Sequence, residues 1–146
     1  MFRGHWVASG YYRQPDTAVG EQGWFPTGDV GVFDAEGFAT LTDRTKDLIK
    51  SGGEWISSIA IENIAVAHSA IAEAAAIAVP DEKWGERPLL IAVPRADCSL
   101  KPEEIRQFFI GKLPSWSVPD RVVIADALPH GATGKVLKTE LRRIYA

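Results

Sequence analysis

The sequence predicts an α+β fold, a β-hairpin segment followed by a small mixed α/β domain, on three observations. Residues 24–42 place β-prone side chains on both sides of the turn Asp34-Ala35-Glu36-Gly37. Two apolar runs, residues 74–79 and 89–93, flank a polar loop and suit neighbouring strands. Ile61, Ile64, Ala65 and His68 recur at helical spacing just before those runs.

In chain order, Val30, Val32 and Phe33 lead into the first turn, and Phe38, Thr40 and Leu41 lead out of it. The polar stretch 43–46 marks a boundary, with residues 1–43 as a terminal β segment and 44–146 as the compact domain. Leu48 and Ile49 are β-prone. A helix is expected over about residues 58–68, with Ser57 and Ser58 in cap positions. The polar loop 80–88 separates the two apolar runs. Pro102 followed by Glu103 and Glu104 suits a first helical turn, where proline loses no needed donor and carboxylates meet the positive end of the dipole. That helix is expected to reach about Ile110. Residues 121–125 read as a strand and 137–145 as a closing helix, with no internal repeat.

Composition removes several function classes. At 146 residues the chain buries a real core, with 46% hydrophobic and 24% charged residues. The most apolar stretch, residues 59–80, is interrupted by Glu62, His68 and Glu73, so no run approaches the roughly 20 residues that span a bilayer. A net charge of -3, with the basic residues confined to 44–50 and 135–143, argues against nucleic-acid binding. Cys98 is the single cysteine, which excludes an intrachain disulfide and a thiolate zinc cluster and favours a cytoplasmic setting. The N-terminus lacks a signal-peptide core and opens into strand-like sequence, so the chain is expected to start within a larger protein.

Three segments carry candidate chemistry. In Gly23-Trp24-Phe25-Pro26-Thr27-Gly28-Asp29, a carboxylate follows a tight turn, where it suits the vicinal hydroxyls of a ribose. Alone, Thr-Gly-Asp is an ordinary turn. The segment 43–56 joins the charged Arg44, Lys46 and Lys50 to the paired Gly52 and Gly53, backbone that a ligand approaches closely. On composition alone it is equally a solvated turn and a loop. Leu128-Pro129-His130-Gly131-Ala132-Thr133-Gly134-Lys135 fails the Walker pattern, since Pro129 stands where its first glycine belongs and Val136 replaces the magnesium-binding hydroxyl. What remains is a lysine on a glycine-flanked loop, suited to placing a point charge on an anion. His5 and His130 lie in loops without an evident acidic partner, and no histidine fits a metal or triad spacing.

Together, in this order and spacing, these segments resemble the adenylate-forming superfamily of acyl-CoA synthetases, luciferases and peptide-synthetase adenylation domains. The resemblance spans nearly the whole chain, from Arg3-Gly4-His5-Trp6-Val7 and Gly10-Tyr11-Tyr12 onwards. Ser51-Gly52-Gly53-Glu54-Trp55-Ile56-Ser57-Ser58 is most similar to synthetases of fatty and related acids, although relatives often carry an acidic residue where Ala60 stands.

The resemblance implies an AMP-forming carboxylic acid-CoA ligase, of which this chain is the C-terminal lid preceded by the last β segment of a large N-terminal domain. It implies that Asp29 binds the ribose hydroxyls of ATP and AMP and that Arg44 contacts the same nucleotide region. Lys46 falls on the hinge position, Lys135 on the lysine that serves adenylation, and Gly52 and Gly53 on the loop offered to the pantetheine arm of CoA. Mg2+ is expected on the ATP phosphates, with its ligands mainly in the N-terminal domain, the partner that also holds the phosphate loop and the acyl tunnel. The isolated chain is then expected to be inactive. Two alternatives stand beside this reading: a lid loading a carrier-protein thiol, and a non-catalytic interaction module.

Overall fold

The computed structural model describes residues 1–15 and 18–146. It forms two compact units, Met1–Lys46 and Asp47–Ala146.

In the first unit, β1 (Asp29–Phe33) and β2 (Ala39–Arg44) form the antiparallel hairpin expected from the sequence. Its turn closes locally: the Phe38 N–H donates to Asp34 Oδ1 at 2.7 Å, and Gly37 takes φ +88°, which costs glycine nothing. A register shift between Val30 and Gly31 leaves Asp29 directly opposite Arg44. Val32, Phe33, Phe38 and Leu41 are all exposed, Phe33 by 74%.

The second unit is built on a five-stranded sheet. The turn-linked pair β3 (Ile49–Ser51) and β4 (Glu54–Ile56) joins a long antiparallel hairpin of β5 (Ile71–Asp81) and β6 (Gly85–Pro94). The strand β7 (Arg121–Ile124) runs parallel to β6. Helix α1 (Ser58–Val66) and helix α2 (Pro102–Phe109) cover one sheet face, where Ile61, Ala65, Ile105 and Phe109 pack with Ile49, Ala76 and Leu90. Helix α3 (Lys138–Tyr145) covers the other, where Leu141 and Leu128 pack with Ala75, Ile77, Leu89 and Ile91. Coverage of both faces explains why the central strands read as unbroken apolar runs rather than alternations.

The expected elements are present, with instructive differences at their ends. Helix α1 stops at Val66, and His68 lies beyond it with its ring edge-on to Phe108, centroids 4.8 Å apart. The polar loop expected over residues 80–88 shrinks to a turn. Asp81 Oδ1 accepts the N–H groups of Lys83 and Trp84 at 3.0 and 2.8 Å, and Gly85 takes φ +80°, so pairing continues through polar sequence. The strand β4 is an addition that sequence patterning does not reveal in three residues.

Ser57 caps α1, its Oγ accepting the Ala60 N–H at 3.1 Å. Ser57→Ala is expected to cost about 1 kcal/mol, read as a lower urea midpoint at unchanged slope.

Candidate functional site

The charged pair comes first. Asp29 begins β1 after Gly28, whose φ of +73° and carbonyl bond from the Thr45 N–H fix the turn. Opposite it, Arg44 ends β2, and its Nε lies 3.2 Å from Asp29 Oδ1. Both side chains retain exposure, 23% for Asp29 and 54% for Arg44, so the pair is a solvent-facing carboxylate held in place by a guanidinium and contributes little to stability. Lys46, exposed, closes the first unit.

Gly52 and Gly53 form the two-residue turn between β3 and β4, at φ +60° and +92°. Positive φ at both central positions is what a tight hairpin of this hand requires. Gly52 donates its N–H to the Trp84 carbonyl at 2.8 Å, and a Cβ there would stand 2.8 Å from the Trp84 ring. The turn therefore packs directly on Trp84. Beside it opens a cleft of about 210 Å³, lined by Gly52, Glu54, Trp84, Arg87, Trp116 and Asp120. Trp84 and Trp116 are each about half exposed.

Arg87 underlies this cleft. Its guanidinium meets both carboxylate oxygens of Asp120, the Ser51 hydroxyl at 2.9 Å, and the carbonyls of Trp116 and Val118. The hydrogen bonds that Arg87 donates to the Asp120 carboxylate raise its pKa above the ordinary value, against the opposing effect of burial, so this cation is permanent.

Lys135 lies elsewhere. The segment 129–137 folds back on itself, with Gly131 donating to the Lys135 carbonyl at 2.8 Å, Leu137 donating to the Pro129 carbonyl at 2.8 Å, and a bridge between His130 and Val136. Gly134, at φ +76°, makes the reversal. Lys135 itself is exposed. The ends of the loop are fixed. His130, which showed no acidic partner in sequence, sits with Nε2 3.2 Å from Glu73 Oε2 on β5. At the start of α3, Lys138 Nζ lies 2.7 Å from both Glu62 Oε1 and the buried Ser58 Oγ, and Glu62 also accepts the Ala76 N–H at 2.8 Å. One lysine is thus committed to α1, whose Glu62 in turn holds β5, and the lysine three residues earlier is exposed to solvent.

Lys138→Met is expected to destabilise the protein by about 2 to 4 kcal/mol, because it strands the Glu62 carboxylate where that group is largely covered. A shift in the thermal midpoint measures this.

The Lys135 loop and the Gly52-Gly53 turn sit at opposite ends of the β5–β6 hairpin. Glu73, which anchors the Lys135 loop, pairs with Val93, whereas Asp81 pairs with Gly85 beside the Gly52 turn. At about 3.3 Å per residue, the eight-residue separation along β5 is roughly 26 Å.

Sequence reading found Asp29, Arg44, Gly52, Gly53 and Lys135 as separate loops; it missed Trp84, Arg87, Trp116 and Lys138. A charged residue directly before the buried run Pro88 to Ala92 was an available signal for Arg87, since burial of that cation demands partners. Among the described residues, no three His, Cys, Asp or Glu side chains are placed to hold a metal ion, and no helix is long and apolar enough to cross a membrane.

The AMP-binding enzyme C-terminal domain family matches residues 60–135. The chain is 55% identical to a 3-methylmercaptopropionyl-CoA ligase of Ruegeria lacuscaerulensis over 97% of its own length and 26% of the relative's. It is 48% identical to a medium-chain-fatty-acid-CoA ligase of Ectopseudomonas oleovorans, over 99% of its own length and 27% of that protein. In structure it resembles o-succinylbenzoate CoA synthetase MenE from Bacillus subtilis in complex with an acyl-adenylate intermediate: TM-score 0.79, 34% identity, 86% of this chain and 25% of that one. The chain thus spans about a quarter of the length of these relatives. With its α/β architecture and its glycine turn and lysine loop in place, the chain belongs to the AMP-binding enzyme C-terminal domain family, found in the acyl-CoA ligases among adenylate-forming enzymes.

Proposed function

We propose that the chain is the mobile lid of a carboxylic acid-CoA ligase, fatty or related acids being the substrate class, which makes acyl-CoA through an acyl-adenylate and releases AMP and pyrophosphate. The N-terminal domain of the same enzyme is its partner, and ATP, carrying Mg2+ on its phosphates, and CoA are its co-substrates. The cytoplasm is its expected setting. The observation that supports this reading best is the placement of the Lys135 loop and the Gly52-Gly53 turn at opposite ends of one hairpin. A lysine side chain reaches only a few ångströms, so one pocket meets one loop at a time, and a two-step reaction is served by turning the unit around.

In the first step a carboxylate attacks the α-phosphorus of ATP, forming a mixed anhydride and expelling pyrophosphate. Lys135 places its ammonium on the anionic charge that gathers there. Asp29 accepts hydrogen bonds from the ribose hydroxyls, and Arg44 orients that carboxylate at 3.2 Å while reaching the same nucleotide. In the second step Lys135 is withdrawn, the Gly52-Gly53 turn lies along the pantetheine arm, and the CoA thiolate attacks the acyl carbonyl and displaces AMP. Glycine suits this position, since a bare backbone admits an extended ligand closely. The hinge is Lys46. Its neighbour Asp47 is held to Arg142 of α3 at 2.6 Å, so rotation at Lys46 carries α3 and the sheet together.

The test is pyrophosphate release by the full-length protein across short, medium, long and aromatic acids, with and without CoA. Acid-dependent release followed by CoA-dependent acyl-CoA formation is the expected result. Acid-dependent release with a carrier-protein thiol as the sole acceptor would move the second step to a carrier, and no release with any acid would remove the ligase reading.

A further inference from the structure

Arg87 stands where the sheet changes partners. On one edge of β6, Gly85 pairs with Ser51 of β3, and from Leu89 to Ala92 the partner is β7. Residue 87 falls in the interval between them. Its guanidinium fills that interval with all five N–H groups engaged: Nε and Nη2 on the two oxygens of Asp120, Nη1 on the Ser51 hydroxyl and the Trp116 carbonyl, and Nη2 also on the Val118 carbonyl. Arginine has five such donors in a fixed plane, so this environment is matched to it completely. Lysine offers three donors from a single point and cannot bridge the same acceptors.

These acceptors come from both walls of the cleft. Ser51 immediately precedes Gly52, and Trp116, Val118 and Asp120 belong to the segment that carries the opposite wall. The turn and Trp116 are joined through one buried side chain, which is 10% exposed. Trp84 packs on the turn, but it and Trp116 are each about half exposed, and the polar link between the turn and Trp116 runs through Arg87.

We infer that Arg87, held by Asp120, is a positioning residue for the acceptor half-reaction: it fixes the Gly52-Gly53 turn against Trp116 and so sets the channel along which the acyl-accepting thiol compound enters. This rests on the proposal that the Gly52-Gly53 turn serves thioester formation. Adenylation has no need of the cleft, so the effect falls on one step of the reaction.

The experiment uses the full-length enzyme with Arg87→Lys, Arg87→Met, Asp120→Asn and Ser51→Ala, the last removing one link without disturbing the ion pair. Three readouts are taken: acid-dependent pyrophosphate formation, the KM for CoA in thioester formation from supplied acyl-adenylate, and the thermal midpoint. The KM for CoA is expected to rise on the order of tenfold in Arg87→Met and less in Ser51→Ala, as lost charge-assisted bonds predict. Pyrophosphate formation is expected to stay within about a factor of two, which separates a lost positioning contact from a general loss of active protein. Equal loss in both half-reactions, or an unchanged KM beside a lowered thermal midpoint, would show that Arg87 only holds the fold together. A wild-type enzyme that adenylates but ignores CoA would instead overturn the acceptor reading, and this inference with it.

Discussion

Lys135→Ala in the full-length enzyme is expected to slow adenylate formation by on the order of 10²–10³-fold, the loss that follows removal of one group stabilising developing negative charge. Thioester formation from supplied acyl-adenylate should be almost untouched. The reason for the asymmetry is electrostatic. Bringing a carboxylate to a phosphate joins two anions, and an ammonium at the junction is worth most in that transition state; in the proposed rotation, thiolate attack on the acyl-adenylate follows the withdrawal of Lys135. The loop is suited to this task because both its ends are pinned, by His130 on Glu73 and by Lys138 on Glu62 and Ser58, so that Lys135 is the side chain left to reach outward. Alanine removes the charge and leaves these anchors in place, so the thermal midpoint should stay close to wild type. Parallel assays of pyrophosphate release and thioester yield make the comparison. Equal loss in both steps would refute the assigned role.

Lys46→Pro is expected to give the mirror image, with pyrophosphate release retained and thioester formation lowered on the order of 10²-fold, the scale at which small misplacement of a reacting group acts. Proline fixes φ near −65° and removes one backbone donor, so the proposed hinge would lose one of its two orientations. Lys46 is the last residue of the first compact unit, and the next residue, Asp47, is bound to Arg142. Changes of backbone angle at this point are transmitted to the second unit rather than absorbed in slack chain. Single-turnover chase of preformed acyl-adenylate with CoA measures the effect. An enzyme with both steps intact would show that the hinge lies elsewhere.

The parts of the fold legible in sequence are those in which local and tertiary preferences coincide. Ile61 and Ala65 recur at helical spacing because α1 presents one face to the sheet, and Pro102 with Glu103 and Glu104 opens α2 as helix-terminus physics prescribes. The runs at residues 74–79 and 89–93 were visible because both sheet faces are covered. Strand ends were less visible: Asp81, Glu86 and Arg87 are charged, yet their backbone still pairs, and composition reports burial rather than pairing.

The candidate site was legible in part for the same reason. Gly52, Gly53 and Lys135 announce themselves through glycine, whose backbone freedom is a local property. Arg87 and Lys138 gave no such sign. Each is defined by acceptors far along the chain, Arg87 by Ser51, Trp116, Val118 and Asp120, and Lys138 by Ser58 and Glu62. His130 likewise found its carboxylate on a strand that passes the loop only after folding.

The most direct test of a lid that turns between two steps is a distance measured between the units in each step. Spin labels on the exposed Cys98 and on an exposed cysteine introduced by Glu36→Cys, in full-length protein cleared of other reactive cysteines, report it by electron-electron dipolar spectroscopy. Two distinct distances are expected, one with ATP and a non-reacting acid analogue, the other with a stable acyl-adenylate analogue and CoA. A single distance shared by both states would contradict the rotation and, with it, the division of labour between Lys135 and the Gly52-Gly53 turn.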